Sequence, residues 1–269
     1  MLATISPLLL VAIATRYGWR NAFFLAGIPG LILAGIGYFF IREKADSGLP
    51  GASHLPGKSS RASIVVILRQ RNVWVSILMG SCIMTWLFAQ VTFLPKFLVS
   101  SRDFTEKDMA ISLSLFGLGV IAWGLVGPAL SDKFGRKPVV LFSFLLSLLL
   151  PFGVIYYADG LGMLSPYLFF GAAGAGAIPI VLATIPSETA PSRYLGQTLG
   201  LVMGICELVG GFLAPVIAGW SADRFGGAAP FFLAAAAAVA AGLFACLLHE
   251  TAPAVTASRT GKRFDEGKP

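Results

Sequence analysis

Leu130-Ser131-Asp132-Lys133-Phe134-Gly135-Arg136-Lys137-Pro138 sets four charges and a glycine between two long, mostly apolar runs. About 20 residues of helix cross a bilayer core, so each flank reads as one crossing and the stretch as a tight hairpin between them. Gly135 is expected to take the positive φ that such a turn needs. Asp132 stands where one helix should end, and Arg136 and Lys137 where the next should begin. A helix dipole favours the reverse arrangement, with anions at the start and cations at the end. The charges are therefore expected to find partners in neighbouring connectors and to form a cluster that holds helices together.

Composition agrees with a membrane protein. Of 269 residues 56% are hydrophobic and 12% charged, with a mean hydropathy of +0.80; a soluble domain carries about 25% charged residues. The net charge of +7 does not point to nucleic acid, because the basic residues lie between apolar spans rather than in a patch with aromatics. Cys82, Cys206 and Cys246 fall inside apolar runs, with neither metal spacing nor a disulfide framework. The two histidines are His54, in a connector, and His249, at a span's end. No nucleophile constellation or phosphate-binding loop accompanies them, so no enzyme activity, cofactor or metal is expected.

The chain opens on a short apolar run, Leu2–Ala14. A signal peptide cleaved after Ala12-Ile13-Ala14 is one reading, but the basic segment such a peptide needs is missing. A helix lacking its beginning fits better. A span over Asn21–Ile41 follows, and then a polar connector, Arg42–Arg71, rich in Gly, Pro, Ser and basic residues. Six more spans are expected, over Val73–Leu94, Met109–Leu130, Val139–Tyr157, Leu164–Ile185, Thr198–Trp220 and Ala228–Leu248, before a polar tail expected to be disordered. Their length favours helices over the shorter strands of a barrel. Fourteen Lys and Arg lie in connectors and tail on one side, against six on the other. This places the Asp132–Lys137 hairpin, the long connector and the C-terminus in the cytoplasm.

An internal repeat is also present. Pro7, Ala14, Arg16, Gly18, Phe23, Phe24, Leu25 and Ala26 recur 208 residues later as Pro215, Ala222, Arg224, Gly226, Phe231, Phe232, Leu233 and Ala234. Transporters built from parallel halves give such a pattern.

The hairpin resembles the signature loop of the major facilitator superfamily, with Leu130, Asp132, Lys133, Gly135, Arg136 and Lys137 in register. The family's first glycine is replaced by Pro128, and Gly127 lies one residue early. Tyr17-Gly18-Trp19-Arg20 with Gly27-Ile28-Pro29-Gly30 resembles the start of that family's helix six, and Arg42-Glu43 its exit. Pro186-Ser187-Glu188-Thr189 with Arg193 resembles the loop after helix ten, and Glu250-Thr251-Ala252-Pro253 the end of helix twelve.

The resemblance implies an all-α polytopic membrane protein, a major-facilitator-like bundle lacking its first four helices. Residues 1–41 would be the last two helices of the N-terminal half, 42–71 a cytoplasmic linker, 72–250 the C-terminal six-helix half and 251–269 a cytoplasmic tail. It further implies alternating-access transport of a small solute, an organic acid or anion coupled to protons, in an inner or plasma membrane. The implied partners are the lipid bilayer, the substrate, protons and a missing N-terminal half. A truncated fragment or accessory subunit that does not transport is the alternative.

Asp132, Gly135, Arg136, Lys137, Glu188 and Arg193 form the expected gating cluster. By resemblance Arg136 pairs with Glu188, and Asp132 lies near Tyr194–Gly196. The other reading is that these charges only set topology. Glu207, near mid-span, is expected to face the bundle interior, because an acid there costs about 2.5–3.5 kcal/mol on insertion scales. It reads either as an acid that carries protons or touches substrate, or as a neutral acid hydrogen-bonded to a neighbouring helix. Trp86, Gln90 and Phe93 recur at helical spacing on a helix that lines the cavity by resemblance. Gln90 could hydrogen-bond a polar substrate while the aromatics stack on it, and Tyr167 offers a hydroxyl from another such helix. Packing is the competing reading for the aromatics. Gly171, Gly174 and Gly176, with Pro179, read as a bendable, closely packed segment. Lys96 could attract an anion or simply snorkel.

Overall fold

The structure, a computed structural model, describes residues 2–40, 64, 66–157 and 160–252. Most of the polar connector and the tail after residue 252 lie outside the described residues. All regular elements among the described residues are helical. The α-helices are α1 (Leu2–Tyr17), α2 (Trp19–Phe40), α3 (Arg71–Ser101), α4 (Glu106–Phe134), α5 (Arg136–Ser147), α6 (Leu149–Tyr156), α7 (Leu161–Gly171), α8 (Gly174–Pro179), α9 (Ile185–Thr189), α10 (Leu195–Cys206), α11 (Ala214–Phe225) and α12 (Ala229–Cys246). Seven stretches among them are long and apolar enough to cross a membrane. The protein is an all-α polytopic bundle. α1, at 16 residues, falls short of a full crossing.

α3 runs through the centre. It packs along α12, against α10 and against the residues between α10 and α11. Trp86, Ile83 and Leu94 are fully buried on it, and Phe97 meets Phe231 of α12 edge-on at 4.9 Å. α1 lies against α4, and α2 packs on α1.

Three spans are broken, each for a local reason. Pro151 has no N–H for the carbonyl of Ser147, four residues back. The span therefore divides into α5 and α6, and the indole Nε1–H of Trp86 donates to the freed Ser147 carbonyl at 3.2 Å. A second break follows Gly171. There the N–H of Ala173 donates to Phe170 rather than Phe169, and Trp123 Nε1 donates to the Phe169 carbonyl at 3.0 Å. A buried carbonyl without a donor costs free energy comparable to a lost hydrogen bond, so each tryptophan stabilises the break beside it. Wide π turns occupy Ile180–Thr184 and Glu207–Leu213, and each precedes a helix with a proline at its start, Pro186 or Pro215. Such turns interrupt the regular ladder and recur at functional sites.

Close helix contact occurs at Gly127. A Cβ there would lie 2.6–2.9 Å from the backbone of Gly176, and one on Gly176 would lie 2.6 Å from the Trp123 carbonyl. Pro128 stands where the signature glycine would be, and the close contact here is made by Gly127, one residue earlier. The turns that end α1 and α11 also match. Gly18 has φ 86° and Gly226 φ 93°. Each donates its N–H at 3.0 Å to the carbonyl four residues back, of Ala14 and Ala222 respectively. The 208-residue repeat thus extends from sequence to backbone conformation.

Candidate functional site

The site is built where α4 gives way to α5. Gly135 turns the chain at φ 100° and donates its N–H to Ser131 at 3.0 Å. Its missing side chain has a second use: a Cβ would lie 2.7 Å from a carboxylate oxygen of Glu250. That carboxylate resolves the mismatch between charge and dipole. Its oxygens accept the N–H groups of Arg136 at 2.8 Å and Lys137 at 3.1 Å, placing an anion at the start of α5. The N–H groups of Thr251 and Ala252 also donate to it, at 3.1 and 2.9 Å. Partial burial works to raise the Glu250 carboxyl, but the four backbone donors outweigh it and hold the group below its ordinary value.

This shift carries a stability prediction. A carboxyl whose folded pKa is depressed stabilises the fold fully above its unfolded value of about 4.3. That stability is lost as pH falls through the lower folded value. Glu250→Gln is expected to lower the unfolding temperature at neutral pH. It should also flatten the acid limb of the stability curve, measured by thermal unfolding in detergent between neutral pH and pH 3.

Arg136 is buried and ties the loops together. Its Nη1 donates to Ser131 Oγ at 2.7 Å and pairs closely with Asp132. Its Nη2 and Nε donate to the two carboxylate oxygens of Glu188 at 2.8 and 3.4 Å. This is the two-pronged geometry that makes arginine–carboxylate pairs strong. Thr251 Oγ1 donates to the same carboxylate at 2.6 Å. The Asp132 side chain is 68% exposed and that of Glu188 21%, so the Glu188 arm holds more of the energy. Lys137 Nζ donates to the carbonyl of Cys246, putting a cation at the end of α12. Asn72, at the start of α3, exchanges two hydrogen bonds with the backbone of His249, both 3.2 Å. Together these contacts join α3, α4, α5, α9 and the segment after α12.

Arg193 is not brought to this cluster. Its guanidinium lies over the ring of Tyr194, 5.6 Å from the centroid, and has no ion-pair partner among the described residues. No hydrogen bond or ion pair links Asp132 to Tyr194–Gly196, and a Cβ on Gly196 would meet nothing within 4 Å. Glu250, Thr251, Ser131 and Asn72 are the members that sequence reasoning missed. The dipole mismatch required an anion near Arg136, but gave no means of choosing Glu250 from other loops.

The mid-span residues are dispersed. Trp86 and Gln90 are fully buried, so neither faces an open cavity in this conformation. Both polar atoms of the Gln90 side chain lack a protein partner. Phe93 is separated from them and lines a cleft of about 350 Å³ with Lys96, Ser100, Gly219 and Asp223. Tyr167 is half-buried and stacks on Tyr157 at 5.1 Å. Glu207 is exposed, not turned into the described bundle as expected. It opens the second π turn, and its carboxylate lies over Gly211, where a Cβ would come within 2.7 Å of it. On the same face Gly196, Gly200 and Gly204 form a stripe over which nothing packs within 4 Å. Among the described residues no group of three His, Cys, Asp or Glu could hold a metal ion.

Comparison with known proteins gives a consistent picture. The family model described as Major Facilitator Superfamily matches residues 1–215. The phosphoglycerate transporter protein of Salmonella typhimurium is 24% identical over 188 residues, covering 69% of this chain and 41% of its own. The probable sulfoacetate transporter of Cupriavidus necator is 25% identical over 265 residues, covering 90% of this chain and 60% of its own. The cis,cis-muconate transport protein of Acinetobacter baylyi is 28% identical over 154 residues, covering 55% and 34%. The chain thus spans about 34–60% of the length of these relatives.

Proposed function

Because the chain belongs to the major facilitator superfamily of membrane transporters, we propose that it forms part of a secondary carrier that moves a small organic anion by alternating access, in symport with protons. Glu207 carries the reading. It is an acid within a 34-residue apolar span, Ser192–Phe225, on a face that no described helix covers. An acid at bilayer depth belongs in a protein interior or a watered cavity, where it serves proton or substrate traffic. The relatives named for phosphoglycerate, sulfoacetate and muconate suggest an acidic substrate. In this proposal the Arg136–Glu188–Asp132 cluster is a clasp that is closed in one conformer and open in the other. The basic connectors support a cytoplasmic side for it, and the membrane in this reading is an inner or plasma membrane.

The same face supports a companion reading, that further helices complete the carrier. The Gly196, Gly200 and Gly204 stripe has the spacing that lets another helix approach closely. No described side chain of Trp19–Tyr38 is buried either. In this proposal α1 and α2 close one half of the carrier, residues 72–250 form the other, and the remainder of the first half seats against Glu207 and the glycine stripe. The test is uptake of radiolabelled organic acids into proteoliposomes under an imposed pH gradient. Gradient-dependent uptake by this chain alone supports a self-sufficient carrier. Uptake only after co-reconstitution with the proposed missing helices supports the completed one. Absence of uptake in both cases overturns the transport reading.

A further inference from the structure

A second cleft, of about 600 Å³, lies at the clasp end of the bundle between the starts of α3 and α5 and the end of α12. Its polar wall carries Arg71, Lys137, His249 and Glu250, and its apolar wall Leu141 and Leu247. The charge available to a ligand is positive. The Glu250 carboxylate is already engaged by four backbone N–H donors. Arg71 is exposed and has no hydrogen-bond or ion-pair partner among the described residues. Lys137 donates one proton to the Cys246 carbonyl, and an ammonium carries three.

Apolar rows run from this cleft into the membrane-facing surface. Trp74 and Leu78 follow Arg71 down one face of α3 and are 48% and 38% exposed. Leu145 lies one turn below Leu141 on α5, and Leu243 one turn below Leu247 on α12; Leu145 and Leu243 are 69% and 66% exposed. A soluble anion needs the cations and has no use for these rows. A phospholipid uses both, phosphate above and acyl chains below.

We propose that the cleft between α3, α5 and α12 binds the phosphate headgroup of an anionic membrane phospholipid, with Arg71 and Lys137 on the phosphate and the acyl chains along Leu141, Leu145 and Leu247. Basic pockets between membrane helices take such headgroups. The proposal rests on the helices crossing a membrane and not on what the carrier transports, so failed uptake leaves it standing. A bound lipid would also brace the clasp, since Glu250 accepts the backbone N–H of Arg136 and Lys137 follows Arg136 in the chain.

Native mass spectrometry of the full chain, delipidated in mild detergent, tests it. Phosphatidylglycerol is expected to be retained and to raise the unfolding temperature, and phosphatidylcholine to do neither. Glycerol 3-phosphate at equal concentration should fail to displace the lipid. Arg71→Glu, at an exposed position with no partner among the described residues to lose, should weaken phosphatidylglycerol retention by about 30-fold. Leu247→Gln should weaken it through the apolar wall. Equal retention of both lipids overturns the proposal. So does displacement by glycerol 3-phosphate, which would mark a soluble-anion site, or unchanged retention in a folded Arg71→Glu protein.

Discussion

Arg136→Ala is expected to lower the stability of the chain by about 2 kcal/mol, measured by denaturation in detergent. Breaking a buried ion pair by removing one partner costs about 3–5 kcal/mol, and an exposed pair contributes about 0–1. Arg136 falls between these limits, because it is buried while Asp132 is largely open. Its loss strips Ser131 and Asp132 of their donor and leaves Glu188, among the described residues, with only the Thr251 hydroxyl. Arg136→Lys should recover part of the stability, since an ammonium cannot make the two-pronged contact.

The same substitution tests the clasp. A free-energy change of 2 kcal/mol is about 30-fold in an equilibrium, enough to shift two conformers that lie a few kcal/mol apart. In a carrier without native cysteines, a probe at Ser187 should label faster in Arg136→Ala and a probe at Ser100 more slowly. Equal, unchanged labelling at both positions would show that the cluster holds loops together and gates nothing.

The clasp was legible in the sequence to the extent that its members lie close along the chain or fit a known loop. Asp132 and Arg136 are one helical turn apart around Gly135, and Glu188 follows a readable helix end. Glu250 was not legible as a partner, because 113 residues separate it from Lys137. Only the fold returns α12 to the start of α5. The helix breaks show the same limit. Pro151 announces a freed carbonyl, but not that Trp86, 61 residues from Ser147, would fill it. That Gln90 faces no open cavity escaped for a related reason. Helical spacing puts it on the face of Trp86 but does not say whether that face meets a cavity or other helices. Gly127 shows where motif letters mislead, since Pro128 stands at the signature glycine's position and the close approach to Gly176 is made one residue earlier.

Glu207 tests the transport proposal most sharply. A symporter moving one proton with each substrate can concentrate that substrate up to about tenfold for each pH unit imposed, because each unit carries 1.36 kcal/mol. Two units would allow about 100-fold accumulation. Glu207→Gln keeps the shape and polarity of the side chain but cannot release a proton. If Glu207 carries the proton, the variant should lose uphill accumulation entirely and keep substrate exchange between two loaded compartments. If it touches substrate instead, exchange should fall as well, with a raised KM. Retention of both activities would mean that the acid serves packing alone. Each outcome also bears on the uncovered face. The π turn that starts at Glu207 places its carboxylate over Gly211, where no side chain can intervene, and beside a glycine stripe that can admit a helix. A mid-membrane acid left facing lipid would be costly, and a helix seated on that stripe would enclose it.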